Sequence, residues 1–153
     1  RAEDVLSGRV ATGQNVAIIG GGIVGVETAM ELHDQGKKIV VIEALDDILP
    51  DQGSVTKRNF LLRLGSRSIP VFVGTKVVEI TGRSVTIQNI IGTKTLSVDQ
   101  VVIATGYRAD DLQAVKVGMK DIPTVIIGDA RKPCALLNIC QHIQELFMGT
   151  ETL

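Results

Sequence analysis

Three consecutive glycines, Gly20 to Gly22, and a fourth at Gly25 spell G-x-G-x-x-G at a point where the hydrophobic pattern changes period. Before them, residues 15–20 (Asn-Val-Ala-Ile-Ile-Gly) form a short apolar, β-branched run, the mark of a buried parallel strand. After them, Ile23, Val26, Ala29 and Met30 recur at three- or four-residue spacing, which predicts a helix stopped by Gly36. Residues 38–43 (Lys-Ile-Val-Val-Ile-Glu) predict a second buried strand that ends on an acid. Strand, helix and strand within about thirty residues make a βαβ unit.

Each glycine has a physical task in such a unit. Gly20 permits the tight turn, Gly22 lacks a Cβ and lets backbone approach a pyrophosphate, and Gly25 lets the helix lie close on the sheet. The free N–H groups and the dipole at the helix start then favour a diphosphate. Glu43 lies eighteen residues beyond Gly25, where a carboxylate can accept both hydroxyl protons of an adenine ribose. A purely structural glycine turn and a methyltransferase-type nucleotide loop, which normally lacks the third glycine, are the alternatives. Ala44, Leu45, Asp46 and Asp47 follow Glu43, and no basic residue appears before Lys57. Two like charges about 4 Å apart repel by ~1 kcal/mol in water and ~4 kcal/mol at an effective dielectric near 20. A carboxylate there disfavours a 2′-phosphate, so the expected cofactor is NAD(H) rather than NADP(H).

Further on, Ser54 is placed to cap a helix through Leu64, with Gly65 just beyond it, and Ile69 to Val73 predicts a third strand. Lys76–Ile80, Ser84–Gln88 and Lys94–Ser97 are short β-rich runs separated by Thr81-Gly82-Arg83 and Ile91-Gly92-Thr93, the pattern of a small meander. Val101 to Ala104 returns to a buried strand closed by Thr105-Gly106. Residues 108–121 have the look of a linker, Thr124–Gly128 of another strand, and the stretch after Pro133 of a helix with Leu136, Ile139, Cys140, Ile143 and Phe147 on one face. The expected fold is α/β: a Rossmann-like parallel sheet with a small antiparallel β-meander insertion.

The 153 residues suffice for one domain with its own core. With 16 Lys+Arg against 17 Asp+Glu, the chain shows no electrostatic footprint for nucleic acid, and 3% aromatic residues supply no base-stacking platform. No run of about 18 apolar residues suggests a membrane span, and no secretory signal is visible, so the expected location is cytoplasmic. Cys134 and Cys140 have neither redox-pair nor zinc spacing and read as reduced thiols. His33 and His142 belong to no triad pattern and read as surface or packing residues. No metal site and no catalytic residue is expected.

Gly20–Glu27, the Glu43 position, Val101–Gly106 and the run Val125-Ile126-Ile127-Gly128-Asp129-Ala130 together resemble the two-dinucleotide-domain flavoprotein reductases. In particular they resemble the C-terminal region of NADH:flavin oxidoreductases of the 2,4-dienoyl-CoA reductase type. There an FMN-bearing barrel precedes an FAD domain, into which an NAD(P)-binding domain is inserted. The resemblance runs through almost the whole chain, and Ala2-Glu3-Asp4-Val5-Leu6 matches the lead-in to the inserted domain. It implies that Gly22, Ile23 and Val24 offer backbone to the pyrophosphate. Glu27, in the first helical turn, is similar to an acid near the nicotinamide; its plainer role is a favourable charge at a helix N-terminus. Ala44 follows the ribose acid, Val77 matches a residue near adenine, and Ala104 and Gly106 belong to the turn on the nicotinamide side. Gly128 and Asp129 match the second flavin motif, whose acid accepts a hydrogen bond from the FAD ribityl chain.

The barrel, its iron–sulfur cysteines and the first FAD glycine motif have no counterpart here, and neither does an acid able to protonate an enoyl substrate. The absence of a redox-active disulfide motif disfavours the disulfide-reductase branch. The chain begins Arg1-Ala2-Glu3-Asp4 rather than with Met, as an excised piece of a longer chain would. Residues 1–108 are then an NAD(H)-binding domain, and 109–153 a linker with the C-terminal segment of a split FAD domain. Such a fragment is expected to bind NADH without holding FAD tightly and to be inactive alone. Deprived of the FAD half, the apolar tail from Thr124 to Phe147 is expected to drive dimerisation. The rival readings are an interaction module that has lost its ligand and an independent flavin-binding protein, the latter weakened by the single glycine motif.

Overall fold

The structure, a computed structural model, describes residues 1–106. In chain order its elements are α1 (Ala2–Leu6), β1 (Asn15–Ile19), α2 (Ile23–Asp34), β2 (Lys38–Ile42), α3 (Ser54–Ser66), β3 (Val71–Phe72), β4 (Lys76–Ile80), β5 (Ser84–Asn89), β6 (Gly92–Ser97) and β7 (Gln100–Ile103). Four strands form a parallel sheet in the order β3-β2-β1-β7, and β4-β5-β6 form a separate antiparallel sheet. This is the expected mixed α/β architecture, meander included.

Why the central strands are apolar on both faces is visible in the packing. Val16 and Ile18 of β1, Ile39 and Val41 of β2, and Val102 of β7 share one core with Val26, Ala29, Met30 and Leu32 of α2 and Leu64 of α3. Ala17 and Ile42 point the other way, into a second core with Val85 and Ile87 of β5 and Val98. Successive side chains in a strand face opposite sides, so one run of Val and Ile feeds two cores. The meander covers the face that a second layer of helices covers in doubly-wound sheets. In β5 the alternation is strict: Val85 and Ile87 are buried, while Ser84, Thr86 and Gln88 are not.

Local boundaries differ from the sequence reading in five places. Residues 2–6 are helical, with Ala2 buried and Val5 packed on the first core. α3 is capped by Gly53 rather than Ser54 and makes no side-chain cap bond. It also runs through Gly65, and the reversal comes at Ser68, whose φ is 52°. β3 is shorter than Ile69–Val73, because the Ile69 N–H still bonds the Leu64 carbonyl at the helix end, 3.3 Å away. The β5–β6 turn is Ile90-Ile91 rather than 91–93. Asn89 Oδ1 accepts the Ile91 N–H at 2.9 Å, closing the turn one residue early. The linker, strand and helix expected after Gly106, with Gly128, Asp129, Cys134, Cys140 and His142, lie outside the described residues.

Two carboxylates tie segments that are far apart in sequence. Asp99 accepts the N–H groups of Asn15 (2.7 Å) and Gln14 (3.0 Å), fixing the start of β1 beside β7, and these bonds lower its pKa. Asp34, at the end of α2, is gripped by both arms of Arg67 (2.8 and 2.7 Å), with the His33 ring 3.5 Å away. His33 lies in the last turn of α2, half-buried. The Arg67 bonds hold Asp34 at a pKa of about 2. A carboxylate with a depressed folded pKa contributes stability above its unfolded pKa of about 3.9, and loses it as pH falls through the folded value. Arg67→Ala is therefore expected to lower the thermal midpoint at neutral pH, with the two melting curves converging as pH falls from about 4 to 2. A constant gap across that window would show that the pair contributes through packing alone.

Candidate functional site

Three segments meet at the carboxyl ends of the parallel strands. After β1, the Gly20 N–H bonds the Ile42 carbonyl (2.8 Å), and Gly20 turns at φ +115°. A Cβ on Gly20 would collide with the Ala104 carbonyl oxygen, so β1 and the turn after β7 are in backbone contact. A Cβ on Gly25 would collide with the Gly20 oxygen and lie 3.3 Å from the Ala104 Cβ. These two glycines seat α2 on the sheet. Gly22 is different: nothing lies within 4 Å of its Cβ position. That open space stands directly before α2, whose N-terminus has no side-chain cap and no acid in its first turn. The first four N–H groups of a helix lack intrahelical partners, so Ile23 and Val24 present donors and a positive dipole end here.

The chain runs from β1 outward to β2 and β3, then returns to the other side of β1 as β7. The glycine turn sits at this reversal, the place where open α/β sheets bind ligands. Ala104 is half-buried, its N–H bonded to the Ile19 carbonyl at 2.8 Å; Gly106 is exposed with φ +84°.

Glu43 is built into the turn more firmly than its place in the sequence suggests. One carboxylate oxygen accepts the Gly21 N–H at 2.6 Å, and the other accepts the Leu45 N–H at 2.8 Å. The Glu43 backbone also pairs with Phe72 and Thr75, both at 2.8 Å. Two ionised oxygens have about four lone-pair sites, so acceptor capacity for ribose hydroxyls remains. Gly21 belongs to this unit although it fills an "x" position of the motif. Its Cβ would strike Ile48 and lie 3.1 Å from the Glu43 Cβ, and its carbonyl accepts the Leu49 N–H at 2.9 Å. The unbroken run of three glycines is the signal for it in the sequence. Ala44 is exposed beside this acid.

Two expected site residues stand apart from the turn. Helix α2 begins at Ile23, so Glu27 opens its second turn rather than its first, and lines a groove with Val5, Leu6 and Arg63. Val77 is half-buried and packs against the second core. An apolar groove lined by Val16, Ile39, Phe72 and Leu96 lies near the amino ends of β1 and β2, the opposite end of the sheet. Among the described residues no cluster of His, Cys, Asp or Glu is placed to hold a metal, and no helix is long and apolar enough to cross a membrane.

A glycine turn, an uncapped helix start and an acid at the switch point of a parallel sheet are the features of a Rossmann-like domain. The chain belongs to the pyridine nucleotide-disulphide oxidoreductase family, which it matches over residues 2–126. It is 30% identical to bilirubin reductase of Mediterraneibacter gnavus over 99% of this chain and 22% of that protein. It is 33% identical to cinnamate reductase of Clostridium sporogenes over 86% of this chain and 20% of the relative. Among solved structures, 2-naphthoyl-CoA reductase in complex with 2-naphthoyl-CoA superimposes with a TM-score of 0.74 at 31% identity, covering 88% of this chain and 21% of that one. The chain thus spans about a fifth of the length of each. The relatives in this family are flavin- and NAD(P)H-using oxidoreductases, and this chain matches one domain of them.

Proposed function

We propose that this chain is the NADH-binding part of a flavin-dependent oxidoreductase of the 2,4-dienoyl-CoA reductase type, in which it holds NADH for hydride transfer to FAD. The observation that carries the reading is the open space at Gly22 in front of the uncapped α2, with Glu43 fixed beside it. The N–H groups of Gly22, Ile23 and Val24 would receive the pyrophosphate, and Glu43 the adenine ribose. Ala104 and Gly106 border the nicotinamide end of the crevice. When bound, NADH would supply a hydride for the flavin, while Gly22, Ile23, Val24 and Glu43 would hold and orient the dinucleotide. Two of the relatives, reductases of bilirubin and of cinnamate, are consistent with an unsaturated organic acceptor for the parent enzyme, and a third is a metal reductase.

Titration of the purified chain with NADH, followed by nicotinamide fluorescence, is expected to saturate, with NADPH binding more weakly. Equal affinities would overturn the specificity, and no saturation would overturn the reading itself. With one glycine motif in the sequence, the chain is expected to purify without stoichiometric flavin. A yellow protein releasing one FAD per chain on denaturation would contradict that.

A further inference from the structure

The sequence shows no cation between Glu43 and Lys57, but the fold pairs Lys57 with the acidic loop that follows Glu43. Lys57 is the fourth residue of α3, its N–H bonded to the Gly53 carbonyl at 2.9 Å, and its ammonium pairs with Asp47. Asp47 stands on the loop that wraps the glycine turn: its other oxygen accepts the Ile48 N–H at 2.9 Å, and Ile48 is the side chain that a Cβ on Gly21 would strike. The Lys57 side chain is 23% exposed and the Asp47 carboxylate 63%, so a covered stem delivers the ammonium to an exposed partner. The hydrogen bond from Lys57 in turn lowers the pKa of Asp47.

We propose that Asp47 is a specificity-determining residue for the dinucleotide: by engaging Lys57 it withholds from a 2′-phosphate a cation that the fold carries to the ribose side of the glycine turn. A 2′-phosphate approaching Glu43 needs a cation to offset the carboxylate. The fold supplies one already neutralised by Asp47, so the acids Glu43 and Asp46 prevail and NADH is preferred. The inference rests on the glycine turn being an NADH site, and it names a second determinant of selectivity there besides Glu43.

The test is equilibrium titration of NADH and NADPH against the native chain, Asp47→Asn, and Asp47→Asn combined with Lys57→Gln, with thermal melts to verify folding. Freeing the ammonium is expected to raise NADPH affinity on the order of tenfold, a Coulombic gain discounted for exposure, and to move NADH by less than about twofold. The added NADPH affinity should fade with salt, and the double variant should abolish it. If NADH saturates the native chain but Asp47→Asn leaves the NADH-to-NADPH ratio unchanged, or the double variant keeps the gain, the proposal is wrong. If NADH fails to saturate the native chain, the underlying site reading falls and the proposal with it.

Discussion

Gly25→Ala is expected to unseat α2 from the end of β1 and to abolish NADH binding, whereas Gly22→Ala should abolish binding and leave the fold standing. The added methyl at Gly25 meets the Gly20 carbonyl oxygen, which is backbone and cannot swing aside. Nor can the helix back away without cost, because Val26, Ala29, Met30 and Leu32 are buried in the first core. Overpacking of this kind costs about 1–3 kcal/mol, a large part of the ~5–15 kcal/mol that holds a domain together. At Gly22 the methyl meets nothing, and φ −69° suits alanine, so folding stability should change by less than about 1 kcal/mol. The same methyl occupies the space a pyrophosphate needs, and affinity should fall by more than about tenfold, equivalent to 1.4 kcal/mol. Thermal melts and NADH titrations of the two variants decide the matter. A Gly25→Ala protein that melts and binds like the native chain would mean that the helix can shift. A Gly22→Ala protein with native affinity would mean that the ligand does not approach there.

That contrast also marks where sequence reading succeeds and where it stops. Apolar β-branched runs and three-to-four-residue spacing are local, so β1, α2, β2, β5 and the glycine turn are legible before any contact is known. The meander followed from glycines between β-branched runs. What was missed depends on partners distant in the chain or on the side chain of one turn residue. Residues 2–6 are too short to show a period, and become legible as a helix only when Ala2 and Val5 are seen packed on the first core. Asn89 closes its turn at Ile90-Ile91, two residues with no turn preference, so the neighbouring Gly92 drew the expected boundary late. Helix α3 ran past Gly65 because a glycine in a helix costs only about 1 kcal/mol, while the left-handed Ser68 ends it. In the site, the acid and the glycines could be read from their spacing. The Gly21–Glu43 bond and the Asp47–Lys57 pair could not, since they cross 22 and 10 residues of chain.

Glu43→Ala is expected to weaken NADH binding by more than its ribose contacts alone account for. Sequence logic assigns Glu43 a single job: accept the ribose hydroxyls and repel a 2′-phosphate. On that view its removal costs NADH affinity, relieves NADPH and narrows the gap between them. The structure adds a second job, because the same carboxylate receives the N–H groups of Gly21 and Leu45. Hydrogen bonds to a charged group are worth about 1.5–3 kcal/mol, and Gly21 is buried, so truncation leaves its N–H without an acceptor. The glycine turn should then loosen and both cofactors lose affinity, NADH by on the order of a hundredfold and NADPH by less. The gap still narrows, but through a fall in NADH rather than a rise in NADPH. Glu43→Gln separates the two jobs. Its single carbonyl oxygen can accept one of the two N–H groups, so it should recover part of the turn's rigidity while removing the charge that opposes a 2′-phosphate. Amide exchange at Gly21 reads the turn directly, and should accelerate most in Glu43→Ala and to an intermediate degree in Glu43→Gln. Should the Gly21 amide exchange at the native rate in Glu43→Ala, with NADPH binding more tightly than before, the carboxylate acts on the ribose alone and the turn holds its shape without it.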